Sequence, residues 1–254
     1  MPVPNRSARL VAWSNAVALG LASPDLAAAE VSGSDPPHRV DGLPGGDGQT
    51  LPVLLAKVRR HAAATARLVL PVPGDPVGLP GPGALAGAAL AAGEVALLPD
   101  AFDAAICSPG GWGLVPAEET TSVRWTAYAV ADPAPAAHTT ALADADRGLA
   151  ETLREATALL DRLDVASWDD RDADEIAALR SGRLDGDGLA PGYPERAVSV
   201  LVRARRVRTI VRLACRADGA ALTAAEASAR LAALEPLDRA ARPAEMAAYN
   251  ALAD

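Results

Sequence analysis

Apolar and polar positions alternate in two different rhythms along this chain. From residue 139 onward the rhythm is helical. Leu142, Leu149, Leu153, Ala156, Leu160 and Leu163 step by seven, four, three, four and three residues, a heptad seam interrupted only by Gly148. Arg147 and Glu151 add an i,i+4 ion pair to the same helix. A second helix is expected from about Asp169 to Gly182. A third, from about Pro194 to Arg216, places Val200, Ala204, Val207, Val211 and Ala214 on one side. Thr223-Ala224-Ala225-Glu226 reads as a capping box for the last helices, with Pro236 and Pro243 each suited to a helix start. A bundle of four or five helices is the economical reading.

Before residue 136 the elements are shorter. Val123, Trp125 and Ala127 alternate with Arg124, Thr126 and Tyr128, the period of a strand with one packed face, and Gly113 to Pro116 suits its hairpin partner. Arg67–Val72 and Glu94–Leu98 are further β-rich runs, separated by a Gly/Pro loop and a helical stretch from Ala84 to Ala92 closed by Gly93. This order predicts a βαβ unit with a parallel strand pair. Thr50 caps a helix from about Leu51 to Ala64, with Leu51, Leu54, Leu55 and Val58 on one face. Near the N-terminus, Arg6 and Arg9 precede an apolar stretch that superficially suggests an export signal. Ser14 and Asn15 interrupt it, however, and Leu10, Trp13 and Val17 share a helical face, so a helix of the folded protein is expected. Gly20 ends that helix, and Ser23-Pro24-Asp25 opens the next. Residues 31–49 read as a mobile loop.

Composition sharpens the division. Of the 21 glycines and 21 prolines, 32 lie before position 136 and 10 after it, so the first part must be loop-rich and the second helix-rich. The expected fold is α/β, a small mixed sheet with a βαβ unit, followed by an α-helical bundle. The expected domains are 1–135 and 139–254, joined by the extended connector Asp132–His138. The net charge of −8 argues against nucleic acid or an anionic membrane as the partner of the whole chain. Cys107 and Cys215 form no disulfide framework, which points to the cytoplasm, and no apolar run reaches membrane-spanning length. A single lysine, Lys57, stands against 23 arginines, the mark of GC-rich coding.

Three segments invite a chemical reading. Gly74-Asp75-Pro76-Val77-Gly78-Leu79-Pro80-Gly81-Pro82-Gly83 follows a strand and precedes a helix, where open α/β sheets place ligands. Gly74, Asp75, Gly78 and Gly81, with Trp112 as a pocket wall, are the candidate small-molecule residues, Asp75 being the polar anchor. The glycine order is GxxGxG, no Gly-Lys-Ser/Thr follows, and three prolines lack the N–H groups of an anion cradle, so a rigid or protein-binding loop is favoured. Cys107 and Ser108 lack a neighbouring base or a GxSxG frame. Asp170–Glu175 begins like an EF-hand, but Glu175 and Ser181 occupy the places of the required Gly and Glu. His38, His61 and His138 show no metal-binding spacing. Neither a metal nor a cofactor is expected.

Arg205, Arg208, Arg212 and Arg216 form one stripe of the third helix, a candidate anion- or partner-binding surface. Residues 139–254 nevertheless hold 20 acids against 16 arginines, and Asp144, Asp146, Glu151, Glu155, Asp161 and Asp164 offer internal partners. That balance disfavours nucleic acid. The run RLVLPVPGDPVGLPGPG, the arginine-rich helix and LEPLDRAARP together resemble a family of hypothetical proteins from high-GC actinobacteria. The resemblance covers most of the chain and implies no activity and no site residue. The sequence therefore reads as a protein-interaction or regulatory module without catalytic activity, recognising an unidentified protein or a second copy of itself. One alternative is a small-molecule enzyme or sensor using the Gly74–Gly83 loop. Another is nucleic-acid binding through helix 196–216.

Overall fold

The computed structural model describes residues 5–60, 65–99, 110–131, 140–163, 189–216 and 224–252. They form two compact units. Unit 1 comprises residues 1–139, 188–194 and 249–254, and unit 2 comprises residues 140–187 and 195–248.

Unit 1 is built on a five-stranded mixed sheet of β1 (His38–Asp41), β2 (Arg67–Val69), β3 (Val95–Pro99), β4 (Gly111–Glu118) and β5 (Val123–Val130), in the order β1-β5-β4-β3-β2. The alternation read in Val123–Tyr128 is the observed β5, hairpin-paired with β4 and buried at Val123, Trp125 and Ala127. The predicted parallel pair is corrected. β2 and β3 are antiparallel neighbours, and β1 with β5 is the parallel pair. Since β3 starts at the end of the sheet where β2 stops, residues 70–83 and helix α4 (Ala84–Ala92) make no net advance along the strands. The two legs cancel, whereas a parallel crossover needs the connection to carry the chain back the full strand length.

The sheet has two unlike faces. Directly opposed strand residues share a face, so Leu68, Ala96, Leu98, Trp112, Leu114, Trp125 and His38 lie on one side, while Leu97, Gly113 and Tyr128 lie on the other. Helix α4 covers the second side. A Cβ on Gly113 would stand 2.6 Å from the Leu85 methyls, so Leu85 packs here in space that a side chain at 113 would force it to leave. The first side carries the helices α1 (Arg6–Ala18), α2 (Pro24–Ser32) and α3 (Leu51–Arg60), with α1 packed on β2, β3 and β4. Helix α1 is capped by Asn5, whose side chain accepts from Ala8 N. Helix α2 begins after Ser23 with Pro24 in its first turn, as the capping signal predicted. α1 is not one-sided: Ser7, Ser14 and Asn15 are as buried as Leu10 and Val17. Residues 31–49 are not a single loop, since they contain β1 and a bridge from Val40 to Gln49.

In unit 2 the described helices are α5 (Leu142–Leu163), α6 (Glu195–Arg216) and α7 (Ala224–Asn250), the last two residues of α7 belonging to unit 1. The apolar stripes are buried within the chain at Ala145 and Leu149 on α5 and at Val200, Ala204, Val207 and Val211 on α6. Pro236 and Pro243 do not start new helices. Both sit inside the 27-residue α7, each removing one i→i−4 donor without ending the helix. The helix expected at 169–182, the connector 132–138 and Thr223 lie outside the described residues.

Candidate functional site

The histidine-bearing strand β1 carries a buried cluster of charged groups. Arg6 in the first turn of α1 grips Asp35 with two bonds, Nε to Oδ2 at 2.9 Å and Nη2 to Oδ1 at 3.4 Å. Its Nη2 also donates to Glu118 Oε2 at 3.1 Å. Arg9, one turn on, donates to the same Asp35 Oδ2 at 2.9 Å. His38 Nε2 stands 3.4 Å from that oxygen, and His38 Nδ1 accepts from Trp125 Nε1 at 3.2 Å. Indole N–H is only a donor, so Nδ1 must be unprotonated, the proton sits on Nε2 facing Asp35, and the ring is neutral. A protonated imidazole would set two donors against each other at Trp125. Burial likewise pushes the His38 pKa down, against the pull of Asp35. Burial alone would raise the Asp35 pKa, but the bond from Arg6 and the charges of Arg6 and Arg9 win and hold it below the usual range.

Above this cluster lies a cleft of about 290 Å³ lined by Asp25, Ala28, Ala29 and Ser32 of α2, His38, and Thr50, Leu51 and Pro52 at the start of α3. The alanines and Ser32 recur at helical spacing on α2, and their small side chains leave the space. Only 1% of the His38 side chain reaches solvent, so the acid–base atoms of the cluster face inward. Besides His38, the polar residues of the lining are Asp25, Ser32 and Thr50. Leu26 and Val53, each next in sequence to a lining residue, are 48% and 46% exposed. Trp125→Phe is expected to raise the His38 pKa, because Nδ1 loses the donor that opposes its protonation. Ring-proton shifts followed against pH check this, and an unchanged titration contradicts it.

The residues singled out by sequence are distributed over several places. In the Gly74–Gly83 loop, Val72 and Asp75 exchange backbone bonds at 2.9 and 3.2 Å, and Asp75 Oδ1 accepts from Val77 N at 3.3 Å, so the carboxylate closes its own turn. Gly74, Gly78 and Gly81 have φ of 85°, 95° and 124°, which accounts for glycine there. Trp112 alternates with Gly113 and therefore faces the side of the sheet away from α4. In unit 2, Arg208 donates to Glu245 Oε2 at 2.6 Å and to Asp238 Oδ1 at 3.2 Å, and Arg205 Nε lies 3.7 Å from Glu245 Oε1. Arg203 and Arg196 reach Asp146. Arg212 is half-buried on the same stripe. The Arg216 side chain, Cys107, Ser108, His61, His138 and Asp170–Glu175 lie outside the described part. Sequence reading missed Arg6, Arg9, Asp35, Trp125 and Glu245 as partners. The alternating run His38-Arg39-Val40-Asp41 was the available signal for β1.

Among the described residues, no group of three His, Cys, Asp or Glu is placed to hold a metal ion, and no helix is long and apolar enough to cross a membrane. Fold and cluster define a mixed α/β unit, locked by buried ion pairs beneath a small cleft, followed by a helical region. The family models described as the N-terminal and C-terminal domains of Rv1486c-like protein match residues 7–141 and 143–246, and the chain belongs to that family. Neither description names an activity. No curated protein and no solved structure matches the chain.

Proposed function

We propose that this chain is a non-catalytic binding module that recognises a protein partner through the surface of α2 and α3 around the cleft. The observation that carries this reading is the exposure of Leu26 and Val53, large apolar side chains next in sequence to Asp25 and Pro52 of the cleft lining. Leu19 and Leu21 at the α1–α2 turn are further exposed apolar side chains, 51% and 48% exposed. Interfaces gain most from apolar anchors seated in small pockets, and the Asp25 carboxylate at the rim favours a basic group flanking such an anchor. The inward-facing nitrogens of His38 support a structural role for the buried cluster. Cytoplasmic placement belongs to the same proposal and rests on the cysteine usage.

Affinity capture from the producing cell, followed by thermal denaturation with the purified partner, tests it. A partner at about 100 times its Kd raises the stability by about 2.7 kcal/mol. The doubly substituted Leu26→Asp/Val53→Asp chain should keep its own midpoint and lose that increment. A nucleotide or metabolite that raises the midpoint of both chains equally overturns the reading.

A further inference from the structure

Helix α2 lends the cleft one continuous stripe of residues. Asp25, Ala28, Ala29 and Ser32 follow one another at i, i+3, i+4 and i+7. The stripe therefore carries a carboxylate at one end, a hydroxyl at the other and only methyl groups between them. Seven residues of helix set the two polar ends about 10 Å apart. Leu51 and Pro52 of α3 add apolar lining, and Thr50 adds a second hydroxyl. Asp25, Ala29 and Thr50 are exposed, so the cleft is open to a group arriving from solvent. Among the described residues the Asp25 carboxylate has no ion-pair or hydrogen-bond partner, nor does either hydroxyl. Of the described lining residues Asp25 alone is charged, since the His38 ring is neutral.

We infer that the cleft receives an arginine side chain of the protein partner, with the guanidinium on Asp25 and the methylene stem over Ala28 and Ala29. The inference rests on the reading of this surface as a protein-binding one, and it names the anchor that the partner supplies. An unpaired carboxylate with no competing cation in the lining calls for a positive head. A guanidinium meets both carboxylate oxygens at once through parallel N–H donors. The alanines call for an apolar stem, and arginine lays its methylenes along apolar surface while its head stays charged. The separation of the polar ends calls for length. With its head at Asp25, a long side chain brings its own peptide groups toward Ser32, whose free hydroxyl can bond them. Lysine has the reach, but its compact ammonium is more strongly hydrated and makes no two-point contact. The volume of about 290 Å³ stands at the lower limit of small-molecule pockets, about 300 Å³, and suits a single side chain. Arginine is also enriched among the few residues that dominate interfaces.

Titration of the intact chain with blocked single residues tests the anchor. Nα-acetylarginine N-methylamide should shift the methyl signals of Ala28 and Ala29 along a saturating curve. The citrulline counterpart, alike in shape but uncharged, should bind at least about fivefold more weakly, and so should the lysine counterpart. Asp25→Asn, at an exposed position, should unfold at the wild-type midpoint and lose the preference for arginine over citrulline. Equal binding of arginine and citrulline or of arginine and lysine, or no saturable shift with arginine, overturns the inference without any variant. An Asp25→Asn chain that still prefers arginine overturns it as well. Failed arginine binding, with a partner still lost on Leu26→Asp/Val53→Asp, sinks the arginine anchor and spares the protein-binding surface. Arginine binding in a chain that captures no protein overturns both, leaving a site for a free guanidinium compound.

Discussion

Asp35→Ala is expected to destabilise unit 1 by about 3–5 kcal/mol, the penalty for leaving buried charges without their partner. The Asp35 carboxylate is 11% exposed and faces Arg6, Arg9 and His38, whose side chains are 7%, 16% and 1% exposed. Removing it strands two guanidinium groups. Arg6 keeps Glu118, which is 64% exposed, while the bond that the Arg9 head makes to Asp35 is lost outright. The unfolding midpoint should fall by roughly 10 °C. Asp35→Asn retains the shape and one acceptor and should lose less. A fall of under about 1 kcal/mol for the alanine variant, the range of surface pairs, would show that the cluster is solvated rather than locked.

Stability should also fall as pH rises from about 4.5 to about 7, by roughly 3 kcal/mol, because of Glu94. Glu94 precedes β3 and is 8% exposed, and its Oε2 accepts from Ser7 N at 2.7 Å in the first turn of α1. Burial dominates and pushes the pKa up from 4.5 to about 7, against the bonds from Ser7 and the charge of Arg6, which favour the carboxylate. Between those values the folded chain retains a proton that the unfolded chain has released. The stabilisation is therefore complete below the unfolded value and lost as pH rises through the folded one. Asp35 acts in a separate window, since its pKa is lowered from 3.8 and its contribution is lost only in stronger acid. Glu94→Gln keeps an acceptor for Ser7 N and removes the charge, so denaturant midpoints measured from pH 5 to 8 should become nearly flat. A wild-type chain whose stability rises over that range contradicts the assignment.

Local signals in the sequence were strong where backbone chemistry acts alone. The Ser23-Pro24 start, the Gly93 stop with φ of 72° and the alternation of Val123–Tyr128 all appear as read. The mixed sheet followed by helices could be inferred from the proline and glycine distribution. What failed depended on groups distant in sequence. The direction of β3 relative to β2 is decided by how residues 70–83 and α4 cancel, which no local pattern encodes. The burial of Ser14 and Asn15 on α1 was not legible, because nothing in the residues near Asn15 reveals its partner Ala66, 51 positions away. The candidate cluster was hidden for the same reason: Asp35 and His38 sit among prolines and glycines that read as loop, while their partners come from Arg6 and Trp125. In the arginine stripe, internal pairing was anticipated from acids on the first helix. Asp146 of that helix pairs with Arg203, which lies beside the stripe, whereas within the stripe Arg208 pairs with Glu245 and Asp238 of α7.

The claim that binding resides on the α2–α3 surface is tested most directly by photo-crosslinking inside the producing cell. A benzophenone side chain placed at Val53 should yield one discrete covalent adduct with a second protein. The same group at Val77, equally exposed at 50% but on the Gly74–Gly83 loop, should yield none. Adducts from Val77 and not from Val53 would contradict the account and move the binding surface to that loop.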